Sequence, residues 1–325
     1  MNKKKNREKI IMLVIGLLIM LAFIVPIGIC IYPNFAPLRV KGIWTPYSYV
    51  VYEDYVWLVG YKGEETVVNI PERLFGRDVR RVGGYTGDYD DVPYRFCNEK
   101  RNVQKVIFPD TVEEIGAEAF YHCDTLTEVV LPSQLKKIGK NAFKGTSLKE
   151  IRLPNGLEVI GKEAFADNKE VDSLIIPETV IEIEEYAFAD CSSLEEVVLP
   201  DTVYVKRGSF SDTPWQESMV EDFVVIGSGT LVKYNGNDKS VYIPEKVKCI
   251  ANYIFEEENQ PETIIIPESV EYICKNALSE KNLKYVILQG NDTELEDEFI
   301  DLRSSADHLI TIVSAEGSTG QRYVE

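Results

Sequence analysis

Apolar residues recur along the chain in one repeated phrase. From Val103 to Phe120 the sequence reads VQKVIFPDTVEEIGAEAF, and from Leu126 to Phe143 it reads LTEVVLPSQLKKIGKNAF. Each phrase opens on an apolar-x-x-apolar-x-apolar segment: Val103, Val106 and Phe108; Leu126, Val129 and Leu131; Leu148, Ile151 and Leu153; Val171, Leu174 and Ile176; Leu194, Val197 and Leu199. Alternation with β-branched residues predicts short strands. A proline follows the apolar run at positions 71, 109, 132, 154, 177, 200, 244 and 267, and it ends the strand because it has no N–H to give to a ladder. The spacings are 38, 23, 22, 23, 23, 44 and 23, a period of about 23 residues. Phenylalanines keep step at 96, 120, 143, 165, 188, 210 and 255, and Leu278 takes that place in the last clear unit.

After each proline a second apolar pair points back to the same core: Val112 and Ile115, Leu135 and Ile138, Leu157 and Ile160, Val180 and Ile183. Gly116, Gly139 and Gly161 follow at a turn, where a missing Cβ permits positive φ. One unit cannot cover its own apolar face, so the units are expected to stack, strand beside parallel strand, into a solenoid. The phrase LxxVxLPxxLxxIGxxAFxxxxxL resembles the BspA-type leucine-rich repeat of bacterial and protozoan surface proteins, from about Tyr55 to Glu325. The resemblance implies a leucine-rich-repeat solenoid, an α/β repeat of parallel strands with short helical or irregular connections. Thr213 to Pro244 is similar to the hairpin-bearing unit that interrupts many such arrays, and it accounts for the doubled spacing of 44.

The array is irregular in places. Glu184 and Cys274 stand where the turn glycine is usual, and VYVKRGSF, Val203 to Phe210, lacks the Ile-Gly pair. Val67 to Val82 reads as a degenerate first unit, followed by a glycine-rich insertion from Gly83 to Pro93. Residues 55–290 are thus assigned to the solenoid, with an irregular hairpin unit at about 211–240. Residues 33–54 form a linker and N-terminal cap. Residues 291–325 form a polar C-terminal cap with an acidic, helix-like stretch, ELEDEFIDLRSSAD.

Ahead of the array lies a different chemistry. Ile10 to Tyr32 is 23 residues without a charge, about 34 Å as a helix, enough to cross a bilayer. Residues 1–9, MNKKKNREK, carry +4, and the positive-inside rule keeps such a tail cytoplasmic. The expectation is one N-terminal transmembrane helix at 10–32, an uncleaved signal anchor, with everything from about Pro33 outside the cytoplasm. The alternative is a cleaved signal and a secreted product, although the apolar run is long for that and Asn34-Phe35-Ala36 is a poor cleavage site. Cys30 follows Ile29, where lipid attachment would need a small residue.

The net charge of −18 becomes −22 once the basic tail is set aside, which argues against nucleic acid, whose phosphates need clustered Lys and Arg. Five cysteines follow the apolar run, widely separated and in no CxxC pair, so no disulfide framework is expected; Cys123 and Cys191 read as small buried hydrophobes. His122 and His308 are the only histidines, and neither lies in a nucleophile–base pattern. Asp88, Asp90 and Asp91 lack the offsets of a calcium loop, and Gly227-Ser228-Gly229 reads as a hairpin turn. No cofactor, metal or catalytic residue is expected.

The residue between the two core positions of each strand points away from the core. Down the array this column reads Asn69, Ile107, Val130, Arg152, Ile175, Val198, Tyr242, Ile265 and Ile287. A stripe so apolar marks an interaction surface, unless its β-branched residues are there for stacking or lie under a neighbouring segment. A polar column beside it, Lys105, Glu128, Glu150, Ser173, Glu196, Ser240, Thr263 and Tyr285, suits a rim. The expectation is a membrane-anchored, non-catalytic binding protein that meets a protein or glycan partner through Ile107, Val130, Arg152, Ile175, Val198, Tyr242, Ile265 and Ile287. The family resemblance adds adhesion or host contact. The alternatives are a structural, self-associating envelope component, and an enzyme with a site in residues 211–240 or in the loop at Gly83.

Overall fold

The computed structural model of the protein describes residues 40–41, 46–84, 96, 102–255, 261–279, 281–301 and 310–314. The apolar run at 10–32, the basic tail, Asp88, Asp90, Asp91, Cys30, Cys97 and His308 lie outside them. Among the described residues no helix is long and apolar enough to cross a membrane.

A regular repeat contributes to three ladders. The front ladder holds the strands before the prolines, with Val68, Val106 and Val129 in register, then Leu174 with Val197, then Val241, Ile264, Val286 and Ile312. The back ladder is parallel as well, running through Val82, Ile115, Ile138, Ile160, Ile183 and Val205. A third ladder joins the turns around the phenylalanines. Glu118, Phe120 and His122 donate their N–H groups to the carbonyls of Lys140, Ala142 and Lys144 at 2.7 to 2.8 Å, and the next repeats do the same. Stacking thus satisfies backbone groups that a lone repeat would leave open.

The prolines have a second use. Val112, Leu135, Leu157, Val180 and Val270 donate their N–H to the carbonyls of Pro109, Pro132, Pro154, Pro177 and Pro267 at 3.0 to 3.2 Å, closing a turn that swings the chain from the front ladder to the back one. Inside the triangle of ladders the phenylalanines form a column. Phe120, Phe143, Phe165, Phe188 and Phe210 are fully buried, with successive ring centroids 5.2, 5.2, 5.4 and 5.3 Å apart and interplanar angles of 8° or less. That spacing is slightly above the strand separation, so backbone pairing and ring stacking share one register.

The turn glycines play a different part from the one expected. Gly116, Gly139 and Gly161 do not have positive φ. A Cβ at Gly116 would sit 2.2 Å from the Gly84 carbonyl oxygen, at Gly139 2.7 Å from the Ala117 nitrogen, and at Gly161 2.7 Å from the Ile138 oxygen. Glycine is there because the preceding repeat's backbone occupies the space. Where glutamate replaces it, the side chain turns aside and accepts a backbone hydrogen bond from the preceding repeat, Glu184 from Lys162 at 2.8 Å and Glu296 from Lys275 at 2.7 Å. Positive φ falls two residues before and two after the phenylalanine, at Glu118 (55°), Asn141 (56°), Glu163 (54°) and Tyr186 (57°), and at His122 (51°), Asp167 (62°) and Asp190 (59°). A left-handed non-glycine residue costs about 1–2 kcal/mol. The ladder bonds from these same residues offset the strain.

Connections are tight turns, and the one helix among the described residues is Pro214–Glu217, begun by Thr213, whose Oγ1 accepts the Gln216 N–H at 3.3 Å. The acidic C-terminal stretch is not helical where described. Glu294–Leu295 pairs with Tyr272–Ile273, and Ile300–Asp301 with Leu278–Ser279. Leu295, Phe299 and Ile300 fall where a further repeat needs apolar residues, and Phe299 is fully buried, so repeat spacing overrides the helical appearance.

One kind of antiparallel hairpin, whose second strand ends on a buried tyrosine and feeds the back ladder, occurs twice among the described residues. Tyr47–Val51 pairs with Tyr55–Tyr61, and Phe223–Ile226 with Thr230–Tyr234; the second strand of each then lies parallel to the next back strand. Tyr61 and Tyr234 end the two hairpins. Each is buried, lies beside the next phenylalanine ring (5.9 Å to Phe96, 5.4 Å to Phe255), and hydrogen-bonds the residue four positions on: Tyr61 donates to the Glu65 carboxylate, and the Tyr234 hydroxyl accepts the Asp238 N–H. Gly63 and Gly236 stand two residues after each tyrosine, Pro71 and Pro244 ten after. Val67 to Val82 is therefore the continuation of a hairpin unit, the same device that reappears at 223–244. The main core divides accordingly, into one cluster from Tyr49 to Ile226 and another from Leu231 to Ile300, with Val232 packed against both, while Val50, Trp57 and Val59 form a small cluster of their own on the first hairpin.

Three substitutions test this packing by urea unfolding. Phe165→Ala, at the middle of the column, should cost about 3–5 kcal/mol. Gly139→Ala should cost about 1–3 kcal/mol through the forced backbone shift, whereas Glu118→Gly, which trades strain for chain entropy, should stay within about 1 kcal/mol.

Candidate binding face

The front ladder presents two columns outward. Of the inner positions, Val106, Leu174, Val241, Ile264 and Val286 are at most 2% exposed, and Val129, Val197 and Ile312 are half-buried. The residues immediately before and after each of them on the same strand face away, as pleating requires. Of the residues predicted for the face, Val130 is 42% exposed, Ile175 68%, Val198 62% and Tyr242 67%. Arg152 is exposed, and Ile107, Ile265 and Ile287 are half-buried. Among the described residues no segment covers Val130, Ile175, Val198 or Tyr242, an arrangement that stacking requirements alone do not impose.

The residues come together in three strips. Asn69, Ile107 and Val130 are in register; Ile175 faces Val198; Tyr242, Ile265 and Ile287 form the third. The first break falls at Arg152, whose segment Ile151 to Leu153 forms no strand. Its guanidinium turns instead to the Glu150 carboxylate. The second break is the hairpin unit, which supplies no front strand between Val198 and Tyr242. Val313 extends the third strip, in register with Ile287 and 47% exposed. Sequence reading missed it because no proline follows, though the alternation in ITIV at 310–313 was the available signal.

The rim charges pair along the ladder. Lys105 meets Glu128 at 2.5 Å, and Glu262 lies between Lys284 at 2.7 Å and Lys239 at 3.3 Å. Hydrogen bonds from Lys284 and then Lys239 hold the Glu262 carboxyl below the usual carboxylate range. Beside the first and third strips opposite charges thus neutralise each other across repeats, which leaves the apolar side chains as what those strips offer a partner. Such exposed pairs contribute little to stability, on the order of 0–1 kcal/mol.

The other candidates have local explanations. His122 occupies a left-handed turn position shared with Gly145, Asp167, Asp190 and Asp212, 3.8 Å from Asp124. Gly227 and Gly229 flank a hairpin turn at φ 53° and 118°, and the Ser228 N–H donates to the Val203 carbonyl at 2.8 Å. Cys191 is more than a small hydrophobe. The position three residues after the phenylalanine is filled by Cys123, Thr146, Asn168, Cys191 and Thr213, all buried. Several of them donate to phenylalanine carbonyls, as in Cys191 to Phe165 at 3.3 Å, Asn168 to Phe143 at 2.8 Å and Thr213 to Phe210 at 2.7 Å. Burial pushes the Cys191 thiol up to about 12, so it is no nucleophile at neutral pH. Among the described residues no group of three or more His, Cys, Asp and Glu could hold a metal ion.

A match to a known repeat family agrees with this architecture. The family described as BspA type leucine rich repeat region matches residues 92–215 and 223–306 in six copies. No curated protein sequence matches the chain. Among solved structures, a leucine rich cell surface protein from Faecalibacterium prausnitzii is 21% identical, covering 89% of this chain and 98% of its own with a TM-score of 0.47. The pneumococcal vaccine antigen PcpA is 19% identical over 79% and 82% of the two chains, with a TM-score of 0.47. The leucine rich repeat protein of T. pallidum is 22% identical over 74% and 91%, with a TM-score of 0.44. The family match spans more than half of the residues and falls on the stacked repeats, so the chain belongs to the BspA-type leucine-rich-repeat family.

Proposed function

We propose that the protein is held in a membrane by residues 10–32 and presents its repeats outside the cytoplasm as a non-catalytic binding surface for a protein or glycan. The observation that carries this reading is the uncovered apolar column on an otherwise charged, strongly acidic chain: Val130, Ile175, Val198 and Tyr242 stand open to solvent, and ion pairs flank the first and third strips at Lys105–Glu128 and at Lys239–Glu262–Lys284. An exposed apolar patch rimmed by polar groups is the usual mark of an interaction site. The family is one of leucine-rich-repeat surface proteins, in keeping with an adhesive role. The acidic balance disfavours anionic polymers and leaves neutral or cationic surfaces as partners.

The anchor predicts that the protein stays with membranes after high-salt and carbonate washes and is released by detergent. A truncated soluble form in the medium would contradict it. The binding face predicts that the full-length protein in detergent is retained on immobilised cell-surface protein or glycan, and that Val130→Ser, Ile175→Ser and Val198→Ser together weaken retention at least 10-fold. Because all three side chains are exposed, that variant should keep its thermal midpoint within a few degrees. Leu174→Ser, one position from Ile175 but buried, should instead lose roughly 2–5 kcal/mol of stability. Equal retention of the triple variant and the parent would remove the face from the account, and retention chiefly of a second copy of the chain would favour the envelope-structural reading.

A further inference from the structure

Where the two stacks meet, the fold brings together two thiols that the sequence keeps apart. Cys249 opens the first back strand after the hairpin of the second stack, paired in register with Tyr272, and Ile250 pairs with Ile273. Cys274 comes next on that neighbouring strand, at the corner where Gly116, Gly139 and Gly161 stand in the first stack. At that corner a Cβ leans onto the preceding repeat: at Gly139 it would lie 2.7 Å from the Ala117 nitrogen and 2.8 Å from the Gly116 carbon. Cys274 therefore carries its side chain against the repeat that holds Cys249, and the Cys274 N–H donates to the Ile250 carbonyl at 2.9 Å. The two thiols share a side-chain hydrogen bond. Both are free and buried, 2% and 5% exposed. Tyr204, from the last back strand of the first stack, closes over them with its hydroxyl 3.9 Å from the Cys249 sulfur. Tyr272, Arg207 and Glu296 complete the surroundings.

We propose that Cys249 and Cys274 are a disulfide site, formed by exchange with a low-molecular-weight or protein disulfide and tying together the first two repeats of the second stack. Cys249 is the attacking group. Hydrogen bonds from the Cys274 thiol and then from the Tyr204 hydroxyl favour its thiolate, although burial opposes it, whereas the hydrogen bond to Cys249 and burial hold the Cys274 proton in place. The Cys249 thiolate attacks one sulfur of the oxidant, forming a mixed disulfide and expelling a thiolate. Cys274 then gives up its proton and displaces the second thiolate, closing the Cys249–Cys274 bond. In sum two protein thiols lose two protons and two electrons, and the oxidant's disulfide is reduced to two thiols. The bond closes a loop of one whole repeat, which includes the front strand Thr263–Ile266 and so bears on the third strip of the face. Burial under Tyr204 makes exchange in the folded protein wait on opening of the seam, so the bond forms most readily during folding.

The test is made on the full-length protein in detergent, reduced, unfolded, and refolded in a glutathione and glutathione disulfide buffer at neutral pH. Free thiols are then alkylated and the protein is digested without reduction for mass spectrometry. The expected result is a linked pair of peptides carrying Cys249 and Cys274, lighter by two hydrogens, with Cys123 and Cys191 alkylated. Dithiothreitol should lower the thermal midpoint of this form and leave that of Cys249→Ser/Cys274→Ser unchanged. Alkylation of both Cys249 and Cys274 in the refolded protein, or their pairing with other cysteines, would overturn the proposal.

Discussion

The whole molecule depends on one coincidence of lengths. Parallel backbones pair at just under 5 Å, and flat phenylalanine rings can be stacked at close to the same interval. A chain that returns to its starting position every 23 residues or so can therefore satisfy hydrogen bonds on three sides and fill the centre with one aromatic column. Everything else serves that return. Proline carbonyls fold the front strand toward the back, glycine or a diverted glutamate lets the corner approach its neighbour, and left-handed residues bracket the ring so that alternate N–H groups point along the stack.

Such a stack needs a beginning, because its first repeat has nothing to lie on. The chain solves this twice with one device, an antiparallel hairpin whose second strand supplies a parallel edge and whose terminal tyrosine starts the aromatic column. Reuse in mid-chain splits the protein into two cores, interrupts the front ladder between Val198 and Tyr242, and leaves a seam where Tyr204 and Cys249 meet. The gap in the apolar face and the meeting of the thiols with Tyr204 thus follow from the same break in periodicity.

Much of this was legible in the chain, and the parts that were not share a cause. Period and strand positions could be read because Pro109, Phe120 and their copies mark every turn. The outward positions followed from alternation, so Val130, Ile175 and Val198 could be named in advance. The role of Gly139 could not, since a glycine demanded by a neighbouring backbone looks the same in sequence as one demanded by φ. Likewise Cys249 and Cys274 are distant in sequence and become neighbours only through register, and Glu294 to Asp301 reads as helix until its apolar residues are counted against the repeat. The kinship of the two hairpins lay in view, in Tyr61-x-Gly63 with Pro71 and Tyr234-x-Gly236 with Pro244, but the two segments differ in nearly everything else.

On this account the repeats spend their regular residues on the stack, and what the protein does is left to the side chains that stacking does not use. The direct measurement is hydroxyl-radical footprinting of the protein on intact cells that carry it, compared with the purified protein in detergent. The account predicts that Val130, Ile175, Val198 and Tyr242 are oxidised in the purified protein and protected on cells, while exposed residues off the front face, such as Ile181 and Val220, react equally in both. Equal oxidation of the front-face residues in the two settings would contradict it.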